Sequence, residues 1–127
     1  MNKRLAAERH GHRSEMLAAW ALRLKGYRIL ASRLKTKLGE IDMVALPLFG
    51  PVCFIEVKAR GDLVAAALSV GQGQRTRIAR AANLYLASRP HPMARGARFD
   101  TIAIAPGRWP RHHADAWRAD DIQEGRA

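Results

Sequence analysis

A single cysteine, Cys53, occurs in the 127 residues, so no internal disulfide can staple the chain and a reducing compartment, the cytoplasm, is expected. Long apolar runs are absent too. Nothing reaches the roughly 20 residues that a bilayer span needs, and Met1-Asn2-Lys3-Arg4 leads into Ala6-Ala7-Glu8-Arg9 rather than the apolar stretch of an export signal. Acidic residues are scarce: 11 Asp+Glu face 22 Lys+Arg, a net charge of +11. Such an excess on one small chain calls for a polyanionic partner or serves solubility alone. The basic residues do not cluster beside an apolar anchor as membrane-docking segments do, which favours nucleic acid over a membrane surface.

What remains is ordinary globular composition, with 48% hydrophobic and 26% charged residues. No repeat, low-complexity block or linker divides the chain, so one domain over residues 1–127 is expected. Leu17, Trp20, Ala21 and Leu24 recur at helical spacing between Ser14, a candidate N-cap, and Gly26, a candidate stop. Residues 1–12 can extend that helix, but Gly11 weakens the join, and a mobile N-terminal extension is expected there. Tyr27 to Ser32 reads as a strand and Arg33 to Leu38 as a basic connector. Gly39 to Leu46 and Val52 to Ala59 read as an antiparallel pair around the turn residues Pro47 to Pro51. Alternation along the first of these places Ile41 and Met43 on one face and Glu40 and Asp42 on the other; along the second, Phe54, Glu56 and Lys58 share a face.

Gly61 to Gly73 reads as a loop with a short helical turn at Ala65 to Leu68. A helix from about Gln74 to Ser88 follows, with Ile78, Ala81, Ala82 and Tyr85 as its buried stripe and Pro90 and Pro92 beyond its end. Arg98 to Ala105 is a fourth strand, and residues 106–127 form an irregular tail. Tyr85, Trp109 and Trp117 are expected to pack rather than stack on bases. The histidines His10, His12, His91, His112 and His113 lack zinc-ligand spacing. Gly71-Gln72-Gly73 is too short for a nucleotide-binding fingerprint.

Asp42 and Glu56 fall on neighbouring strands, with Glu40 and Lys58 beside them. Carboxylates crowded on a hydrophobic sheet repel one another and lose solvation, and a hard divalent cation offsets both. Oxygen-only ligation selects Mg²⁺ or Mn²⁺ over zinc. Lys58 from the same face can hold a scissile phosphate or help deprotonate a metal-bound water, which is the chemistry of phosphodiester hydrolysis. The bland reading is an ion pair on a solvated sheet. Arg75, Arg77 and Arg80, with Gln74 beside them, crowd the early turns of the second helix, where they either track phosphates or form a solvated face.

At these residues the chain resembles a known family. Asp42-x13-Glu56-x-Lys58 is similar to the PD-(D/E)xK nuclease pattern. The longer string of Glu15, Gly26-Tyr27, Gly39-Glu40-Ile41-Asp42, Glu56-Val57-Lys58 and Arg98-Phe99-Asp100 resembles the YraN family of small bacterial proteins. That resemblance implies an α/β, restriction-endonuclease-like core similar to archaeal Holliday-junction resolvases: α-β-β-β-α-β with a central mixed four-stranded sheet flanked by helices. It implies Asp42 and Glu56 as ligands of Mg²⁺ or Mn²⁺, Lys58 as the catalytic lysine and Glu15 as a further carboxylate toward the metal or its water. Glu40 is a lesser candidate. It also implies DNA as substrate, branched or flapped, and a homodimer. The family often has Lys-Gln where this chain has Gln74-Arg75. Two alternatives stay open: a nucleic-acid-binding module that retains the fold without turnover, and a protein-assembly factor.

Overall fold

The computed structural model describes residues 3–59, 72–89 and 95–118. In chain order its elements are α1 (Lys3–Leu24), β1 (Arg28–Thr36), β2 (Gly39–Leu46), β3 (Val52–Ala59), α2 (Gln72–Ala87), β4 (Ala97–Ile104) and β5 (Arg111–Trp117). The strands form one sheet in the order β1-β2-β3-β4-β5. Neighbours are antiparallel except β3 and β4, which run parallel across the connection that contains α2. The α/β architecture is the expected one, but the sheet has a fifth strand in what reads as an irregular tail. β5 shows no clean apolar alternation in Arg111 to Trp117, and only Trp117 at its end is buried, so pairing with β4 rather than pattern defines it.

The two faces of the sheet bury different clusters. Toward α2 lie Ile41, Val44, Val52, Phe54, Phe99 and Trp117 with Ile78, Ala81, Ala82 and Tyr85 of the helix, which is the stripe its spacing predicts. Rings knit this side: Phe99 stacks on Trp117 at 4.2 Å and Phe54 meets Tyr85 edge-on. Toward α1 lie Met43, Ala45, Cys53, Ile55, Ile102 and Ile104 with Ala18, Ala19 and Leu22.

Here α1 differs from expectation. Of the four residues at helical spacing only Ala21 is buried; Leu17, Trp20 and Leu24 are 47, 56 and 70% exposed. The helix lies on the sheet through alanines, whose small side chains permit close approach, and turns its bulky stripe outward. It also runs unbroken through Gly11, with Ser14 buried inside it rather than capping it. Its other end is as expected. Gly26 adopts φ +91°, and the N–H groups of Gly26 and Tyr27 donate to the carbonyls of Arg23 and Leu22, closing a Schellman motif.

The supposed connector after Ser32 is instead the second half of β1. Thr36 makes this possible: its hydroxyl donates to the Gly39 carbonyl at 2.7 Å and accepts the N–H groups of Leu38 and Gly39, tightening the β1–β2 turn onto Lys37 and Leu38. A Cβ on Gly39 would meet Cβ and the carbonyl oxygen of Arg77, both at 3.2 Å, so the absence of a side chain lets α2 sit against this turn. β1 carries a register shift between Ile29 and Ala31, and Arg33 adopts φ +51°. The helical turn expected at Ala65 to Leu68 and the stop at Pro90 and Pro92 lie outside the described residues.

Candidate metal and phosphate site

The pairing of β2 with β3 runs through Met43↔Ile55, Val44↔Phe54 and Ala45↔Cys53. One residue beyond Met43, the Asp42 carboxylate accepts the N–H of Val57 at 2.8 Å. A side chain thus takes a donor that the sheet ladder would otherwise serve. The local geometry also breaks the expected alternation: Ile41 joins the α2-side core and Met43 the α1-side core. A strict period of two fails at Asp42 because the strand leaves its pairing there.

Glu56 and Lys58 project from β3 toward α2, as their alternation with Phe54 predicts. Glu56 is 5% exposed. Gln74, in the first turns of α2, lies between them: its amide nitrogen donates to Glu56 Oε2 at 2.6 Å and its oxygen accepts from Lys58 Nζ at 3.3 Å. Lys58 Nζ is 3.7 Å from the same Glu56 oxygen. One carboxamide therefore ties the acid to the amine and, through its two unlike ends, fixes which way it is turned.

Burial pushes Glu56 up to about 7, with the nearby Asp42 charge adding to the rise and Lys58 opposing it. Asp42 is raised by burial as well, and by the charges of Glu15 and Glu40, against the Val57 N–H and Lys58. Two acids that each make the other harder to ionise are a pair that a cation would relieve. The ligand chemistry fits Mg²⁺ or Mn²⁺, since both groups offer oxygen and Mg²⁺ keeps most of its other positions for water.

The remaining candidates divide. Glu15 of α1 is near enough to influence Asp42, but its carboxylate is bound by Arg33 Nε at 2.7 Å. Among the described residues no three His, Cys, Asp or Glu side chains converge closely enough to cage an ion, so Glu15 does not close a ligand set with Asp42 and Glu56 in this arrangement. Glu40 is exposed and is the weakest of the influences on Asp42. In α2, Arg77 and Arg80 are exposed, whereas Arg75 lies over the Trp117 ring at 5.7 Å. Arg75 thus packs on an aromatic rather than facing outward with the other two.

Sequence reasoning assigned Gln74 to a nucleic-acid surface and missed its link to Glu56 and Lys58. The signal was its place two residues into a helix that follows the acid-bearing strand. It also gave Asp100 no role. Asp100 is fully buried, held by Arg98 through two bonds of 2.9 and 2.7 Å, by His112 Nε2 at 2.7 Å and by the Asp115 N–H at 2.9 Å. Burial alone would raise it, but these partners together hold it at about 2. Lys25 Nζ, a donor only, contacts His112 Nδ1 at 2.8 Å, so Nε2 carries the proton given to Asp100. Tyr27 completes the cluster by accepting from Arg98. This network joins the end of α1 to β4 and β5 and is structural.

Among the described residues no helix is long and apolar enough to cross a membrane. The family model described as "Uncharacterised protein family UPF0102" matches residues 14–104, which span every residue of the candidate site. A UPF0102 protein of Parvibaculum lavamentivorans is 51% identical over 114 residues, 90% of this chain and 85% of the relative. Those of Paramagnetospirillum magneticum and Chelativorans sp. are 50% and 47% identical, each over 91% of this chain and 92% and 93% of their own lengths. With the family model covering α1 through β4 and relatives at such identity over nearly the whole chain, the protein belongs to the UPF0102 (YraN) family.

Proposed function

We propose that this protein is a metal-dependent nuclease that hydrolyses phosphodiester bonds in DNA, with branched or flapped structures as candidate substrates. The observation that carries the reading is the paired, buried carboxylates of Asp42 and Glu56 with Lys58 Nζ 3.7 Å from Glu56, at the point where β2 parts from β3. Asp42 and Glu56 would hold Mg²⁺ or Mn²⁺, which when bound supplies an acidified water and stabilises charge on phosphoryl oxygens.

The chain's own groups do the rest. Lys58 is released from Gln74 to hold a non-bridging phosphate oxygen or to take a proton from the attacking water. Asp42, fixed by the Val57 N–H, keeps one carboxylate oxygen aimed while the other is engaged. Arg77 and Arg80 on α2 would contact flanking phosphates, which fix register and make binding salt-dependent. The net charge of +11 supports the same partner.

The test is a cleavage assay on duplex, single-stranded, flap and four-way DNA in Mg²⁺ and in Mn²⁺, beside Glu56→Ala and Lys58→Ala. Cleavage by wild type that both substitutions abolish is expected. Cleavage that persists in both variants sinks the reading. Binding without cleavage by wild type replaces it with a nucleic-acid-binding module.

A further inference from the structure

The stripe that α1 turns outward borders two open cavities on the far side of the sheet from α2. The larger, about 510 Å³, is lined by Arg13, Leu17, Ala59, Ile104, Arg108 and Trp109 among others. The second, about 350 Å³, is lined by Ala21, Lys25, Arg111, His112 and again Trp109. Trp109 is 68% exposed, unlike Tyr85 and Trp117, which are buried as a packing role requires. It stands in the β4–β5 connection with a cavity on either side.

The charge around this aromatic is of one sign. Arg13 and Arg108 line the first cavity and Lys25 and Arg111 the second, and no acidic side chain lines either. A second copy of so basic a face would be repelled. A strongly anionic partner that also offers flat apolar surface would be held by both features. Single-stranded nucleic acid has that chemistry: phosphates for the cations and unpaired bases for the indole. A duplex keeps its bases stacked on one another and has none to offer. Arg23 already lies over the Trp20 ring at 5.4 Å on the same helix, extending the cationic and aromatic surface along α1.

The larger cavity also adjoins the candidate site. Ser14 and Ala59 line it, and they are chain neighbours of Glu15 and Lys58. We infer that the groove between α1 and the β4–β5 connection binds the unpaired strand of a nucleic acid, with bases stacked on Trp109 and phosphates on Arg13, Arg108 and Arg111. This rests on the nucleic-acid reading of the adjoining site and narrows its substrate to one with a single-stranded arm.

The test is fluorescence anisotropy of a labelled oligothymidylate and of a blunt duplex of equal length, with the full chain in chelator so that nothing is cut. Trp109→Ala should weaken the oligothymidylate by about tenfold, the loss of roughly one stacked base, and leave the duplex within about twofold. Trp109→Phe should restore most of it. Arg13→Ala with Arg108→Ala should lower the salt slope by about 1. Unchanged oligothymidylate binding in Trp109→Ala, or an equal loss on the duplex, overturns the inference. So does competition by polyglutamate as effective as by unlabelled oligonucleotide, which would mark an acidic protein partner. A dimer that Trp109→Ala dissociates while oligonucleotide binding stays unchanged would assign the face to a second copy. In the metal-dependent cleavage assay, no cutting by wild type beside intact Trp109-dependent binding removes the nuclease reading and supports the groove. Cutting without any Trp109 dependence of strand binding removes the groove alone.

Discussion

The Asp42 carboxylate accepts the backbone N–H of Val57 at 2.8 Å, which makes one residue both a support of the sheet and the centre of the candidate site. Val57 lies between Glu56 and Lys58, so the bond sets the height at which those two side chains stand against α2. Asp42 is itself raised by burial, yet the same N–H favours its charged form. The protein tolerates an acid there because one backbone donor is aimed at it.

That double role separates two substitutions. Asp42→Asn keeps an oxygen for the Val57 N–H and should fold close to wild type while losing cleavage. Asp42→Ala leaves a buried donor unserved and should cost about 1–3 kcal/mol in addition. Chemical denaturation of both variants checks this, and equal stability of the two would show that the bond carries no weight.

Stability should depend on pH through Glu56. Its carboxyl is held at about 7 in the fold against an ordinary 4.5, so the folded state binds the proton more tightly. Its contribution is therefore fully present below about pH 4.5 and is lost as pH rises through 7, on the order of 3 kcal/mol at most. Without metal, Glu56→Gln should be more stable than wild type at pH 8 and no more stable at pH 4.5. Mn²⁺ should raise the melting temperature of wild type at pH 8 and leave Glu56→Gln unmoved. A variant that is less stable than wild type at pH 8 would contradict the strain ascribed to the pair.

Gln74 bridges Glu56 and Lys58 without lying at the centre of the reaction. Gln74→Ala should lower cleavage about 10- to 100-fold, the range for a residue that orients a metal ligand, with the alkaline limb of the pH–rate profile shifted because Lys58 loses a partner. A fall in rate with no change in the profile would mean that Gln74 only shapes the fold.

Asp100 titrates in the opposite sense to Glu56. Held at about 2 against an ordinary 3.8, it contributes stability that is present above pH 3.8 and lost as pH falls through 2, about 2 kcal/mol in all. Asp100→Ala should cost about 3–5 kcal/mol at neutral pH by leaving Arg98 and His112 without their shared anion. Since this cluster lies apart from the candidate metal site, residual folded protein should still bind Mn²⁺. Loss of metal binding in a variant that remains folded would tie the two clusters together.

Much of this was legible in the chain because periodicity and physical burial agreed. The Ile78, Ala81, Ala82 and Tyr85 stripe, the Phe54, Glu56 and Lys58 face and the Gly26 stop all follow from spacing or backbone freedom. The failures have local causes. In α1 the large residues promised a buried face, but close packing on the sheet favoured alanines. At Asp42 a side chain took a ladder donor and broke the alternation of Ile41 and Met43. β5 carries too little apolar alternation to announce itself, and Trp109 differs from Trp117 only in where the β4–β5 connection leaves it. Of the site, the acid pair and Lys58 were readable from composition and spacing, whereas the Gln74 bridge and the Arg33 hold on Glu15 depend on elements distant in sequence.

The most direct measurement is anomalous diffraction from a crystal soaked in Mn²⁺. The account predicts a peak between the carboxylates of Asp42 and Glu56 that Glu56→Ala abolishes. A map with no peak there at saturating Mn²⁺, and with Glu56 still bound to Gln74 and Lys58, would contradict it and leave the three side chains as a structural ion pair.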